Sequence, residues 1–202
     1  MRTSSATWVA VVLTTLLWGV EAAAETDPLA WTNFMLGPEH SQWLVGALGR
    51  IATDAERKEF LALEDDAAAA AFVERFWAQP GRERVRRIYD ERAGLADRRF
   101  GEAAHPGRKT DRGTLFILFG EPEETSFEDL RHVDEPPVEL WRYPKGAEAG
   151  LDGTRPERIY RFAKRGDLTR MFRKGGQDDP AVLRRRMPPS VRLPSGGRPD
   201  PP

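Results

Sequence analysis

The chain has no cysteine among its 202 residues. Its absence excludes disulfide bonds, zinc sites with thiolate ligands and a lipid-modified N-terminal cysteine. The three histidines are far apart and form no H-E-x-x-H pattern, so we predict no metal site and no cofactor. Neither sign of charge is in excess, because 31 Lys and Arg residues against 32 Asp and Glu residues leave a net charge of −1. We therefore expect no nucleic-acid partner.

One apolar run stands at the N-terminus. Arg2 precedes a mostly apolar segment at residues 8–20, and three alanines follow at 22–24. A basic start, a short apolar segment and an A-x-A site are typical of a secretory signal at residues 1–24. We predict an exported, periplasmic or secreted protein with no stable membrane span after cleavage, since a span needs about 20 residues. An uncleaved anchor is the alternative.

Helical signals fill the first half of the remaining chain. Apolar spacing and capping residues predict four helices after a leader at residues 25–40. The first helix is predicted over residues 43–51, and the second begins at a capping box of Thr53 and Glu56. The third begins at Asp65-Asp66 and ends at Pro80-Gly81, and the fourth covers residues 82–100. Seven arginines in the last helix alternate with four acids, which favours a solvated face over phosphate binding.

Residues 114–119 form a compact apolar run between two turns. Gly113 and Gly120 bound the run, and it has no polar alternation after its first residue. We predict a strand buried on both faces at the centre of the core, with a buried helix segment as the alternative. Each large side chain buried there contributes about 1.5–3 kcal/mol.

Alternating apolar and polar residues in the second half of the chain predict strands. An acidic loop at residues 121–137 separates the apolar run from three further strands, predicted at 138–143, 158–163 and 168–172. The expected fold class is α+β, with N-terminal helices packed on a small antiparallel sheet of about four strands. This domain covers residues 41–173. Residues 174–202 are rich in Pro, Gly and Arg, which predicts a disordered tail.

The order of these motifs resembles the GWxTD domain, a bacterial extracytoplasmic family. Gly107-Arg108-Lys109-Thr110-Asp111 stands where the family has Gly-Trp-x-Thr-Asp, and the resemblance extends over residues 42–172. Arg108 replaces the signature tryptophan, and the loop after Phe76-Trp77 is shorter than usual. The matching positions that we expect to fix the fold are Phe76, Trp77, Arg92, Gly107, Thr110, Asp111, Arg112, Gly113, Gly120 and Pro122. The family has no established activity, so the resemblance implies no mechanism.

The sequence offers weak support for catalysis. Asp111 and Arg112, with His105 and Glu121, are the best candidates for a hydrolase-type enzyme. They flank a predicted strand that would separate its two turns by about 20 Å, at about 3.3 Å per residue. We therefore predict no catalytic residues, and we expect a non-catalytic binding or scaffolding module in the cell envelope. The hydrolase and a purely structural envelope protein are the alternatives.

Aromatic residues mark one face of the predicted sheet as a candidate surface for an envelope protein partner. They are Trp141, Tyr143, Tyr160 and Phe162. The alternative, weighed equally, is that the chain's own N-terminal segment closes this face. The exposure of Trp141 distinguishes the two.

Overall fold

The computed structural model describes residues 28–128 and 137–186. The predicted signal at residues 1–24 and the end of the tail, residues 187–202, lie outside the described residues. The elements in chain order are α1 (Ala47–Ile51), α2 (Asp54–Leu61), α3 (Asp66–Ala78), α4 (Arg82–Phe100), α5 (Asp111–Phe119), β1 (Glu124–Glu128), β2 (Val138–Arg142), β3 (Ile159–Arg165), β4 (Leu168–Phe172) and α6 (Pro180–Arg186). Short 3-10 helices occur at Pro28–Trp31 and Gly107–Lys109. The predicted α+β class, with helices preceding an antiparallel sheet, is confirmed.

Capping residues set the starts of α2 and α3 as the sequence predicted. Thr53 and Glu56 form the capping box of α2, with the Thr53 N–H donating to the Glu56 carboxylate at 2.8 Å. Burial raises the pKa of Glu56, but bonds from the Thr53 backbone, Arg82 and Gln79 together lower it to about 2. Asp65 caps α3 by accepting a bond from the Ala68 N–H.

The central apolar run is a helix, so the predicted strand at residues 114–119 is wrong. Thr110 caps α5 through the N–H of Gly113, and Gly120 ends it at a φ of 82°. Residues 115–118 are all buried, because α4, α1 and β4 surround the helix. An apolar helix buried on several sides loses the periodic pattern of a surface helix, which is why the run resembles a buried strand.

The sheet has four antiparallel strands in the order β1-β2-β3-β4. Its first strand lies within the segment that the sequence predicted as an acidic loop. The two acids in β1 form ion pairs across the sheet, Glu124 with Arg142 at 3.5 Å and Glu128 with Arg161 at 3.1 Å. These pairs hold a charged strand at the edge of the sheet.

The core lies between the helices and one face of the sheet. The Trp141 ring in β2 packs against Phe100 of α4 and Phe162 of β3, with centroids 5.4 and 5.1 Å apart. A second aromatic cluster joins the N-terminal segment to α3 through Trp43, which meets Phe76 edge-on at 4.9 Å. Among residues 28–128 and 137–186, no helix is long and apolar enough to cross a membrane.

Side-chain hydrogen bonds hold the chain near both ends of the described ranges. Asn33 in the leader is buried and hydrogen-bonded to α2. Within residues 174–202, the structure describes one helix, α6, whose start is capped by Asp179 through the N–H of Ala181 at 2.9 Å; disorder of the rest of this segment stays a prediction.

Candidate functional site

Close backbone contact explains the two glycines that flank Thr110. A Cβ on Gly107 would overlap the carbonyl oxygen of Ala96 in α4, and one on Gly113 would overlap the carbonyl oxygen of Gly107. Thr110 joins the two glycines, since its hydroxyl donates to the Gly107 carbonyl at 2.8 Å and accepts from the Gly113 N–H at 3.1 Å. The motif therefore presses α4 and α5 together.

The carboxylate of Asp111 reaches from α5 to the edge strand β4. It accepts a bond of 2.7 Å from the Met171 N–H, and Arg170 lies 3.5 Å from its other oxygen. Burial raises the pKa of Asp111, against the lowering effect of these two partners. Both partners of this carboxylate therefore belong to the sheet.

Arg112 joins three parts of the fold. Its guanidinium pairs with Glu102, after α4, and with Glu139 of β2 at 3.0 Å. Glu139 also accepts a bond of 2.7 Å from the Trp141 indole, and Glu102 accepts one from the Thr169 N–H of β4. The outward N–H groups of Thr169 and Met171 are thus covered by carboxylates, which protects this edge of the sheet.

The other end of α5 is held by Arg92. Its Nη1 donates to the carbonyls of Ile117 and Leu118 at 2.9 and 3.2 Å, satisfying acceptors at the helix C-terminus. The Tyr143 hydroxyl donates to the carbonyl of Gly120 at 3.0 Å. Burial raises the pKa of Tyr143 well above its usual value. Pro122, two residues after the helix cap at Gly120, is half-buried.

The remaining motif positions are also packing positions. Phe76 is buried, and Arg82 stacks over its ring at 3.7 Å. Trp77 is half-buried against the ring of Tyr89, 5.7 Å away. Arg108, in place of the signature tryptophan, binds Asp97 of α4 through its side chain and its backbone N–H, both at 2.8 Å.

A small cavity of about 70 Å³ lies at the N-terminal end of α5. Asp111 and His105 both line it, so the structure brings together two of the candidate catalytic residues. Glu121 lies beyond the opposite end of this nine-residue helix, about 14 Å away at about 1.5 Å per residue, and pairs with Arg99. In the described part of the chain, no three His, Asp or Glu side chains are grouped to hold a metal ion.

The aromatic sheet face is core rather than surface. Relative exposures are 2% for Trp141, 3% for Tyr143, 7% for Tyr160 and 0% for Phe162. The Phe119 ring of α5 stacks on Tyr160 at 6.2 Å and meets Tyr143 at 5.9 Å. The helical layer, with α5 at its centre, therefore closes this face, and these four residues are not available to a partner.

Exposed apolar residues occur instead on a turn over residues 33–41, here called the Asn33 turn. Phe34 and Met35 are 74% and 71% exposed. The Asn33 amide donates to the carbonyls of Phe60 and Leu63 at 3.0 and 2.8 Å, which fixes the turn to the end of α2. The sequence offered one signal for this turn, a Phe-Met pair beside an asparagine in a leader rich in turn residues.

A larger cleft, of about 1010 Å³, opens where β3 begins and β4 ends. Tyr160 and Phe172 contribute aromatic side chains to it. Its charged lining residues are Arg50, Arg161, Arg173, Lys174, Glu157 and Asp178. We call it the Arg173 cleft, and nothing in the sequence singled it out, because its residues come from three separate segments.

Comparisons with protein-family models, with curated proteins and with solved structures found no match to this chain. The likeness to the GWxTD family therefore stays a hypothesis supported by the motif residues quoted above.

Proposed function

We propose that the protein is an exported, non-catalytic binding module of the cell envelope that contacts a protein partner through the Asn33 turn. The observation that supports this proposal most strongly is the exposure of Phe34 and Met35 on a turn held by hydrogen bonds. Adjacent exposed apolar side chains are unfavourable in water, and a partner that buries them removes that cost.

The rigidity of the Asn33 turn favours binding. The Asn33 carboxamide oxygen accepts the Met35 N–H at 3.0 Å, and the Asn33 N–H donates to the Ser41 carbonyl at 2.8 Å. At its far end, Asp66 accepts from the Gly37 N–H at 3.1 Å and contacts His40 at 2.9 Å. A preorganised turn loses little conformational entropy when it binds.

The polar residues of the motif support the non-catalytic part of the proposal. Asp111 is engaged by Met171 and Arg170, and Arg112 by two carboxylates. Groups held in this way stabilise the fold and are not poised beside a nucleophile.

A hydrolase that uses Asp111 and Arg112 is the second candidate. It is favoured by one observation, the shared lining of the 70 Å³ cavity by Asp111 and His105. Hydrolytic activity that disappears in Asp111→Asn, with stability retained, would support the hydrolase over the binding module.

Capture from an envelope extract tests the proposed partner site. Three immobilised proteins are compared: the wild type, the double variant Phe34→Ser/Met35→Ser, and Phe127→Ser. Phe127 is a matched control because it is 66% exposed on β1. We expect one protein to be retained by the wild type and by Phe127→Ser but not by the double variant. If all three retain the same proteins, the Asn33 turn is not the contact site.

A further inference from the structure

The exposed apolar pair of the Asn33 turn has acidic neighbours. Residues 33–41 and 62–68 together contain four acids, one histidine and no Lys or Arg. The four acids are all exposed, and they are Glu39, Glu64, Asp65 and Asp66. Over the whole chain, 31 Lys and Arg residues nearly balance 32 Asp and Glu residues. The negative charge beside this turn is therefore a local property.

Hydrogen bonds bring these acids to the turn. The Asn33 amide donates to the Leu63 carbonyl at 2.8 Å, and Glu64 is the next residue. Asp66 accepts from the Gly37 N–H of the turn at 3.1 Å. The acids therefore share one stretch of surface with the exposed apolar pair. We call this surface the Phe34 patch, and its residues are Phe34, Met35, Glu39, Glu64, Asp65 and Asp66.

Most of the charge in the Phe34 patch is not neutralised by other parts of the fold. Within residues 28–128 and 137–186, Glu39, Glu64 and Asp65 form no ion pair, and Asp66 contacts His40 at 2.9 Å. Unpaired charges of one sign raise the local concentration of groups of the other sign. The patch therefore attracts cations to the position of the exposed apolar side chains.

We propose that the partner of the Asn33 turn presents Lys or Arg side chains beside an apolar group. This inference rests on the proposed binding function and adds the chemistry of the partner. Protein interfaces have an apolar centre and a polar rim, and complementary charges at the rim set specificity and the association rate. Phe34 and Met35 supply the centre, and the carboxylates supply the rim. The same carboxylates repel anionic lipid headgroups, which makes a membrane surface the less favourable occupant.

Model peptides test this chemistry. Three labelled peptides of equal length are titrated with the purified protein, one alternating Lys and Leu, one alternating Lys and Ser, and one alternating Glu and Leu. We expect saturable binding of the Lys–Leu peptide alone, because only this peptide combines positive charge with apolar side chains. The variant Phe34→Ser/Met35→Ser should abolish the binding. An ionic strength of about 1 M should weaken it, because salt then screens charges beyond about 3 Å.

Matched charge removals locate the effect in the Phe34 patch. Glu39→Gln/Glu64→Gln should bind the Lys–Leu peptide about fivefold more weakly, in the range for two exposed charge pairs. Neither side chain has a hydrogen bond within the described ranges, so this variant should keep its fold, which circular dichroism checks. The control Glu123→Gln/Glu148→Gln makes the same change in net charge at exposed positions outside the patch and should bind as the wild type does.

The outcomes separate this inference from the proposed function. Absence of saturable Lys–Leu binding, equal binding of the Glu–Leu peptide, or equal affinities of the patch and control variants overturns the cationic partner. Sedimentation with phosphatidylglycerol vesicles, or self-association that Phe34→Ser/Met35→Ser removes, would identify a membrane or a second copy as the occupant and overturn it as well. A photoreactive analogue at position 34 reports contact with a protein whatever its charge. An adduct that persists undiminished in Glu39→Gln/Glu64→Gln therefore overturns the cationic partner and leaves the proposed contact site intact.

Discussion

The carboxylate of Asp111 accepts a hydrogen bond of 2.7 Å from the backbone N–H of Met171. This bond ties the first turn of α5 to the edge strand β4, and its two partners are sixty positions apart in the sequence. Glu102, which follows α4, likewise accepts a hydrogen bond from the backbone N–H of Thr169 in β4. The acidic residue of the motif therefore completes the sheet edge, a role that accounts for its position without catalysis.

Asp111→Ala should lower the free energy of unfolding by about 1.5–3 kcal/mol, the usual contribution of a hydrogen bond to a charged group. Asp111→Asn should stay within about 1 kcal/mol of the wild type at pH 7, because its amide oxygen still accepts the Met171 N–H. Urea denaturation of the three proteins measures both effects. Equal losses in the two variants would contradict the hydrogen-bond role.

The difference in unfolding free energy between the wild type and Asp111→Asn should change with pH in one direction. Burial raises the folded-state pKa of Asp111 above its ordinary value of 3.8, so the folded protein binds this proton more tightly than the unfolded chain does. Its contribution to stability is complete below about pH 3.8 and is lost as pH rises through the folded pKa. The wild type should therefore lose stability relative to Asp111→Asn as pH rises from below 3.8. A relative gain over that window would show that the surroundings favour the charged form.

Gly113→Ala and Gly94→Ala should have opposite effects. A Cβ at Gly113 overlaps the Gly107 carbonyl, so we expect a loss of at least about 2 kcal/mol from overpacking. Gly94 lies inside α4 with only the Arg98 side chain nearby, at 3.8 Å, so alanine should add about 0.5–1 kcal/mol there. Thermal melts of both variants test the pair, and a stable Gly113→Ala would remove the close-contact explanation.

Arg92→Ala should cost about 1.5–3 kcal/mol, because two carbonyls at the end of α5 lose a charged donor. Burial lowers the pKa of Arg92, which reflects its enclosed position. Arg98→Ala, on the exposed side of α4, is the control and should change stability by less than about 0.5 kcal/mol. Similar chemical denaturation midpoints for the two variants would argue against capping by Arg92.

The sequence predicted the helices with strong caps and misassigned the most buried one. The capping box of Thr53 and Glu56 is a local signal, and the structure reproduces it. Residues 114–119 carry no periodicity because burial on several sides removes it. In the structure, Thr110 before the run and Gly120 after it are the N-cap and C-cap of α5.

Other features depend on contacts between distant residues. Glu124 and Glu128 are strand residues because β1 pairs with residues of β2 that are distant in the sequence, and nothing near them in sequence indicates this. The alternation in β2 correctly indicated one aromatic face, but exposure depends on what covers that face. Once α5 is a helix, its Phe119 closes the face over Tyr143 and Tyr160.

The export prediction has a direct test. Intact-mass spectrometry of the protein purified from its native host should give a mature chain that begins between Ala22 and Glu25. The physical basis is the short apolar run followed by alanines, which suits cleavage better than anchoring. Recovery of the chain beginning at Met1 from the cytosol would contradict both the export and the envelope function.

Site-specific photo-cross-linking in the native host tests the binding function most directly. A photoreactive phenylalanine analogue replaces Phe34 in one strain and Phe127 in another, so that both probes occupy exposed aromatic positions. We predict an adduct of defined mass with one envelope protein from position 34 and none from position 127. The absence of an adduct at position 34, or the same adducts from both positions, would contradict the account.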